Sequence, residues 1–318
     1  MKKLFKQIGI ILTIIGLIVF ISFVNHKTKL KNEDALFKTN GKIVEVNGHH
    51  LNVYLSGNPN SDFTLVFMSG AGTCSPTLDF KTLYALFEKD YQIAVVEKAG
   101  YGFSDISDIS RDIDTILFET RESLNQAGVT NHKYILFPHS MSGIEALYWA
   151  NKYPNEIKGI VGLDLSVPAA YQNTQINTFL LSAAKFGADI GLTRFLPYLV
   201  DSSSAIKDGN LTEEEKELYK VIFYRRTATT SMINEAKTIK ENAKKLEEVD
   251  TTNVPMLFFI SNGDGTGYSR EEWRSFGVGY LANKQNGKYQ FLDCSHYVHN
   301  IAYQQIYEES IKFINQLK

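Results

Sequence analysis

The sequence predicts an α/β domain whose mainly parallel, eight-stranded sheet carries helices on both faces. Three observations point to it. Beyond residue 40, short apolar runs alternate with stretches of helical period. Some of these runs, such as "TLVFMSGAG", are apolar throughout and end in glycines, as strands buried on both faces do. The alternation then stops over roughly residues 168–250 and resumes afterwards, which predicts a helical insertion over the strands' carboxyl ends.

The elements follow in order. "GKIVEVNGHHLNVYLSG" reads as two strands around an Asn-Gly turn. "DFTLVFMSGAG" is a buried strand, "LDFKTLYALFEKD" has helical spacing, and "YQIAVVEKAGYGFS" is a buried strand with a glycine-rich exit. "RDIDTILFETRESLNQAG" is an amphipathic helix stopped by Gly128. "KYILFPHS", "MSGIEALYWANKYP" and "IKGIVGLDLSVP" read as strand, helix and strand. In the insertion, Thr212 with Glu215 three residues later forms a capping-box signature. "VPMLFFISNGDG", "SREEWRSFGVGYLANK", "KYQFLDCSH" and a final helix close the chain.

The first stretch is different in kind. Lys2, Lys3 and Lys6 precede an uncharged run from Gln7 to Asn25, close to the roughly 20 residues that cross a bilayer. No small-residue cleavage site follows it, which favours a membrane anchor over residues 1–25 above a cleaved signal peptide. A polar linker is expected from residue 26 to 40, then one domain from 41 to 318. The short N-terminal side favours an anchor with its N-terminus inside and the domain outside the cytoplasm. A formal net charge of −2 over 318 residues argues against a nucleic-acid partner. Cys74 and Cys294 are compatible with either a disulfide joining two loops or two free thiols.

"ILFPHSMSGIEALYWA" carries the chemistry. A serine hydroxyl is a poor nucleophile unless a base, an orienting acid and oxyanion donors surround it. A turn from strand to helix presents such a serine, but is so tight that the positions two before and two after it need small side chains. Ser140 has Pro138 and Ser142 there; Ser142 would have Ile144, a branched residue. Ser140 is therefore the candidate nucleophile. His296, between the last predicted strand and helix, is the candidate base, with His299 its rival and His139 a packed neighbour. Asp264, in the glycine-containing loop after "LFFIS", is the candidate acid, with Asp164 the alternative. The backbone N–H groups of Met141 and Ala71 are the candidate oxyanion donors. Asp264's loop lacks the alternating acids of a calcium site, and no metal or cofactor is expected.

Four segments together resemble the α/β-hydrolase family across residues 41–318. "PHSMSG" resembles its G-H-S-M-G-G elbow and "FMSGAG" its oxyanion segment. "EKAGYGFSD" is similar to the family's D-x-x-G-x-G-x-S stretch, and "SNGD" with "CSHYVH" to its acid and histidine loops. The resemblance implies a sheet with a helical cap and serine-dependent acyl transfer. A serine at the elbow sets the chain apart from the dehalogenase and epoxide hydrolase branches, which place Asp there. Pro138, Ser142 and Ser69 depart from the family's usual residues and bear on the oxyanion geometry. The expected substrate is a small-molecule or lipid ester, or an amide. A proline-iminopeptidase-like aminopeptidase, with a cap acid such as Glu235 or one of Glu213 to Glu215 holding the substrate amine, is the rival. A non-catalytic binding module on the same fold is the other.

Overall fold

The computed structural model describes residues 2–318. Eight strands form one sheet: β1 (Lys42–Val46), β2 (His49–Gly57), β3 (Thr64–Met68), β4 (Gln92–Glu97), β5 (Tyr134–Pro138), β6 (Ile157–Leu163), β7 (Met256–Ile260) and β8 (Gly287–Phe291). Their order is β1-β2-β4-β3-β5-β6-β7-β8. β2 pairs antiparallel with β1 and β4, and all other pairs are parallel. The β1–β2 turn is the expected Asn-Gly turn, with Asn47 and Gly48 both at positive φ, the conformation that matches the twist of a tight hairpin.

The longer helices are α1 (Lys2–Asn32), α2 (Ile113–Gln126), α3 (Ser142–Lys152), α4 (Thr178–Asp189), α5 (Glu213–Arg226), α6 (Thr230–Glu247), α7 (Arg270–Leu281) and α8 (Tyr303–Asn315). Successive strand side chains point to opposite faces, so each buried strand feeds two cores. Val66, Leu136, Ile160 and Phe258 pack on one face with Ile113, Ile144 and Trp273 of α2, α3 and α7. Leu65, Phe137, Val161 and Phe259 pack on the other with Phe80, Phe87 and, from α8, Ile306 and Phe313.

Between β6 and β7 the chain is helical throughout its regular elements, from a 3-10 turn at Pro168–Tyr171 to α6. Thr212 and Glu215 form the expected reciprocal capping box at the start of α5. One boundary differs from the sequence reading. No linker begins at residue 26, because α1 continues as one helix to Asn32. The reason is tertiary: that last part of α1 docks on the helices between β6 and β7. Ser22 Oγ donates to the Ile190 carbonyl, and Arg194 donates to His26 Nδ1 and, through two nitrogens, to Glu33.

Candidate active site

The carboxyl ends of β3, β5, β6, β7 and β8 lie along one edge of the sheet, and the loops leaving them build the site. Ser140 sits between Pro138, the last residue of β5, and α3. Its φ is 54°, a left-handed conformation that strains a residue with a Cβ by about 1–3 kcal/mol. Two hydrogen bonds hold the turn: His139 N–H donates to Met68 O (3.0 Å), and Ser166 N–H donates to Ser140 O (2.8 Å). Two close approaches need glycine. A Cβ on Gly143 would lie 2.2 Å from Ser166 O, and one on Gly70 would lie 2.6 Å from Ser140 Cβ. Pro138 is tolerated because the backbone N–H that continues the pairing with β3 belongs to His139.

The two serines of the turn have separate fates. Ser142 is fully buried, its hydroxyl within 2.7 Å of Met68 O and 2.9 Å of His139 O, so it ties the first turn of α3 to β3. Ser140 instead lines a cavity of about 500 Å³, together with Ala71, Ser166, Tyr171, Tyr268 and His296. Ser140 and His296 face this cavity with no direct hydrogen bond between them among the described residues. Catalytic hydrogen bonds are often loose before substrate binds.

His296 meets Asp164 rather than Asp264. Its Nδ1 lies 2.6 Å from Asp164 Oδ2, which assigns the proton to Nδ1 and leaves Nε2 for the cavity side. Asp164 directly follows β6 at φ 52° and is 1% exposed. Its other oxygen accepts from Ser261 N–H and Trp273 Nε1, both at 2.7 Å. These bonds compensate the burial of a carboxylate that would otherwise be expensive. Asp264 is exposed, and its carboxylate accepts from Asn262 Nδ2 (3.0 Å). Its contribution to the site is through the backbone, since its carbonyl accepts from His296 N–H (2.9 Å). The physical reason for the exchange is position: β6 lies between β5 and β7, so a residue one step past its end reaches the histidine, while the loop after β7 lines the cavity with Gly265 to Tyr268 and leaves the Asp264 side chain in solvent.

The two histidines nearest His296 are committed elsewhere. His299 Nε2 lies 2.8 Å from Asp79 Oδ2 in the core. His139 is buried beside His296 and Tyr297, and burial first, then the neighbouring His296 and His299, push its pKa well below the usual imidazole range. It stays neutral, its Nε2–H donating to the His296 carbonyl (3.2 Å). Among the described residues the N–H groups of Ala71 and Met141 have no backbone or side-chain acceptor; Ala71 lines the cavity, and Met141 N–H opens α3. Cys74 and Cys294 are both free thiols, so the disulfide is not formed. Burial pushes the Cys74 thiol up to about 12, which leaves it a packing residue.

Trp273 and Ser261 were invisible to sequence reasoning, because only the meeting of α7 and β7 with β6 aims them at Asp164. A second buried group of charges joins the end of β4 to α3 and α6. Lys98 Nζ donates to Glu145 Oε1 of α3 (2.7 Å) and to Glu235 of α6. Burial, followed by the proximity of Glu235, pushes Glu145 up to about 7 against the opposing pull of Lys98.

Known proteins fit this arrangement. The family described as serine aminopeptidase, S33, matches residues 59–277. The chain is 34% identical to the uncharacterized protein YbdG of Bacillus subtilis over the whole of both chains. It is 26% identical to YqjL of the same organism, covering 76% of this chain and 79% of that one. Among solved structures, the haloalkane dehalogenase DbeA of Bradyrhizobium elkani superposes with a TM-score of 0.65 at 13% identity, over 87% of this chain and 97% of that one. A putative epoxide hydrolase of Pseudomonas aeruginosa superposes at 0.64 with 14% identity, over 87% and 96%. At those identities the likeness is one of fold. With its eight-stranded sheet, its strained serine turn and its match to the S33 model, the chain belongs to the α/β-hydrolase family.

Proposed function

We propose that this protein is a membrane-anchored serine hydrolase that cleaves esters through Ser140, His296 and Asp164. The observation that carries the reading is the buried Asp164–His296 pair opening onto the same cavity as Ser140. His296 Nε2 takes the Ser140 proton as Oγ attacks the carbonyl carbon. Asp164 keeps the imidazole oriented and stabilises its cation, and the N–H groups of Ala71 and Met141 receive the oxyanion. Collapse expels the alcohol, which takes the proton from His296. A water deprotonated by His296 then attacks the acyl carbon, and collapse breaks the bond to Ser140 Oγ, which takes the proton back from His296 as the acid leaves.

Ester specificity is favoured by the cavity lining, which includes no carboxylate among the described residues. The family's description favours the aminopeptidase reading, which needs an acid to receive a free amine. Glu235 is a poor source, being 1% exposed and already paired with Lys98. Hydrolysis of a p-nitrophenyl ester against a prolyl anilide separates the two. Anchoring through the apolar part of α1 is supported by its length and composition, with almost none of that part covered by the rest of the chain.

The test is labelling by a fluorescent fluorophosphonate. Ser140→Ala loses the label and Ser142→Ala keeps it. Retention of label and ester hydrolysis in Ser140→Ala refutes the assignment.

A further inference from the structure

The helices between β6 and β7 carry an apolar surface that nothing in the fold covers. Only Ala188 of α4 is fully buried, while Phe179 is 78% and Phe186 56% exposed. The following turns expose Phe195 (60%), Leu196 and Tyr198. A soluble monomer rarely leaves so many large side chains together in water.

The position of α1 says what covers them. Ser22 and His26 of α1 are buried against Ile190, Gly191 and Arg194, in the middle of this apolar stretch. Arg225 of α5 donates to the Leu30 carbonyl and pairs with Asp34, fixing the far end of the helix. No slack therefore exists between the apolar segment and the domain. From Gln7 to Ser22 the helix rises about 22 Å at about 1.5 Å per residue. The hydrocarbon core is roughly 30 Å thick. With Lys2, Lys3 and Lys6 in the far headgroups, Ser22 reaches no further than the near interface, and the surface around Ile190 is held at that depth. Lys27, Lys29 and Lys31 follow on the next turns of α1, at the level of headgroup phosphates.

From this geometry we infer that the apolar face formed by Phe179, Leu180, Phe186, Phe195 and Leu196 is a second membrane-contact surface, resting in the headgroup region of the bilayer that α1 enters. The inference depends on the anchor reading above and adds to it a fixed orientation. Leu199, at the edge of this face, also lines a second cavity of about 360 Å³. Tyr297 is a wall shared by that cavity and the one holding Ser140.

The test uses the full chain in phosphatidylcholine vesicles, with and without lipids brominated near the glycerol end. Single tryptophans replace Phe186, Phe195, Leu12 or Phe118, the native Trp149 and Trp273 being buried and giving a constant background. Phe118 is exposed beside His132 and Glu156, at the opposite edge of the sheet, and serves as the control. Brominated lipid is expected to remove emission from Phe186→Trp, Phe195→Trp and Leu12→Trp and to leave Phe118→Trp unchanged. Quenching at position 12 without quenching at 186 and 195 overturns the inference and leaves the anchor standing. A blue-shifted but unquenched emission at 186 and 195 overturns it in favour of a protein partner or a second copy. No quenching at position 12 overturns the anchor reading itself.

Discussion

Two groups of buried acids flank α3, and they differ in what lies on their open side. Asp164 takes three hydrogen bonds, from Ser261, Trp273 and His296, and the histidine it orients reaches a cavity. Glu145 and Glu235 share one ammonium, that of Lys98, and Glu235 Oε2 is left without a hydrogen-bond partner among the described residues. The first group has its charge compensated and its histidine partner on a cavity wall, which suits chemistry. The second holds more carboxylate than cation and joins α6 to the sheet domain, which suits structure and makes it sensitive to pH. Burial alone does not mark a functional acid; the accessible neighbour does.

The largest expected effect breaks the first group. Asp164→Asn removes the charge that orients His296 and is expected to lower kcat by about 10⁴-fold, as loss of a triad acid does. The measurement is ester hydrolysis at saturating substrate, and a variant near parental activity would return Asp264 to consideration.

Breaking the second group acts on stability instead. Lys98→Met leaves two carboxylates buried without their cation, and is expected to destabilise the fold by about 3 kcal/mol in thermal or denaturant unfolding. Activity per folded molecule should stay within a few-fold of the parent.

A subtler variant sharpens the contrast. Burial raises Glu145 from the ordinary 4.5 to about 7. The folded chain therefore keeps a proton that the unfolded chain releases, and this contribution, full below pH 4.5, is lost as pH rises through 7. Glu145→Gln removes that dependence. Its stability should fall less than the parent's between about pH 5 and about pH 8. Identical pH slopes for the two proteins would place the extra proton elsewhere.

Asp264→Asn is the smallest change. An exposed side chain away from the histidine should alter stability by less than about 0.5 kcal/mol. Ester hydrolysis should remain close to the parent's, because the carbonyl that receives His296 N–H is still present.

The strand–helix alternation, the hairpin turn at Asn47-Gly48, the capping box at Thr212 and the serine turn were readable because each is set by residues near in sequence. Periodicity reports which face is buried, and turn chemistry reports where φ must be positive. Ser140 could be separated from Ser142 on the same footing, since the crowding at Ile144 is local.

The carboxylate that meets His296 was not of this kind. Asp164 and Asp264 each follow an apolar strand and each stands near residues suited to turns, so local sequence ranks them poorly. Their difference arises when β6 inserts between β5 and β7 and brings Trp273 and Ser261 onto one carboxylate. The missing linker has the same origin: α1 runs on to Asn32, and Ser22 and His26 within it, with Glu33 just past it, dock on the far segment at Ile190 to Arg194. The sequence by itself determined the elements, their order and the strand-to-helix serine turn, because short-range sterics and hydrophobic period act within a few residues. The tertiary structure alone decided which aspartate meets His296 and how α1 sets against the helices between β6 and β7, because those rest on hydrogen bonds between residues more than a hundred positions apart.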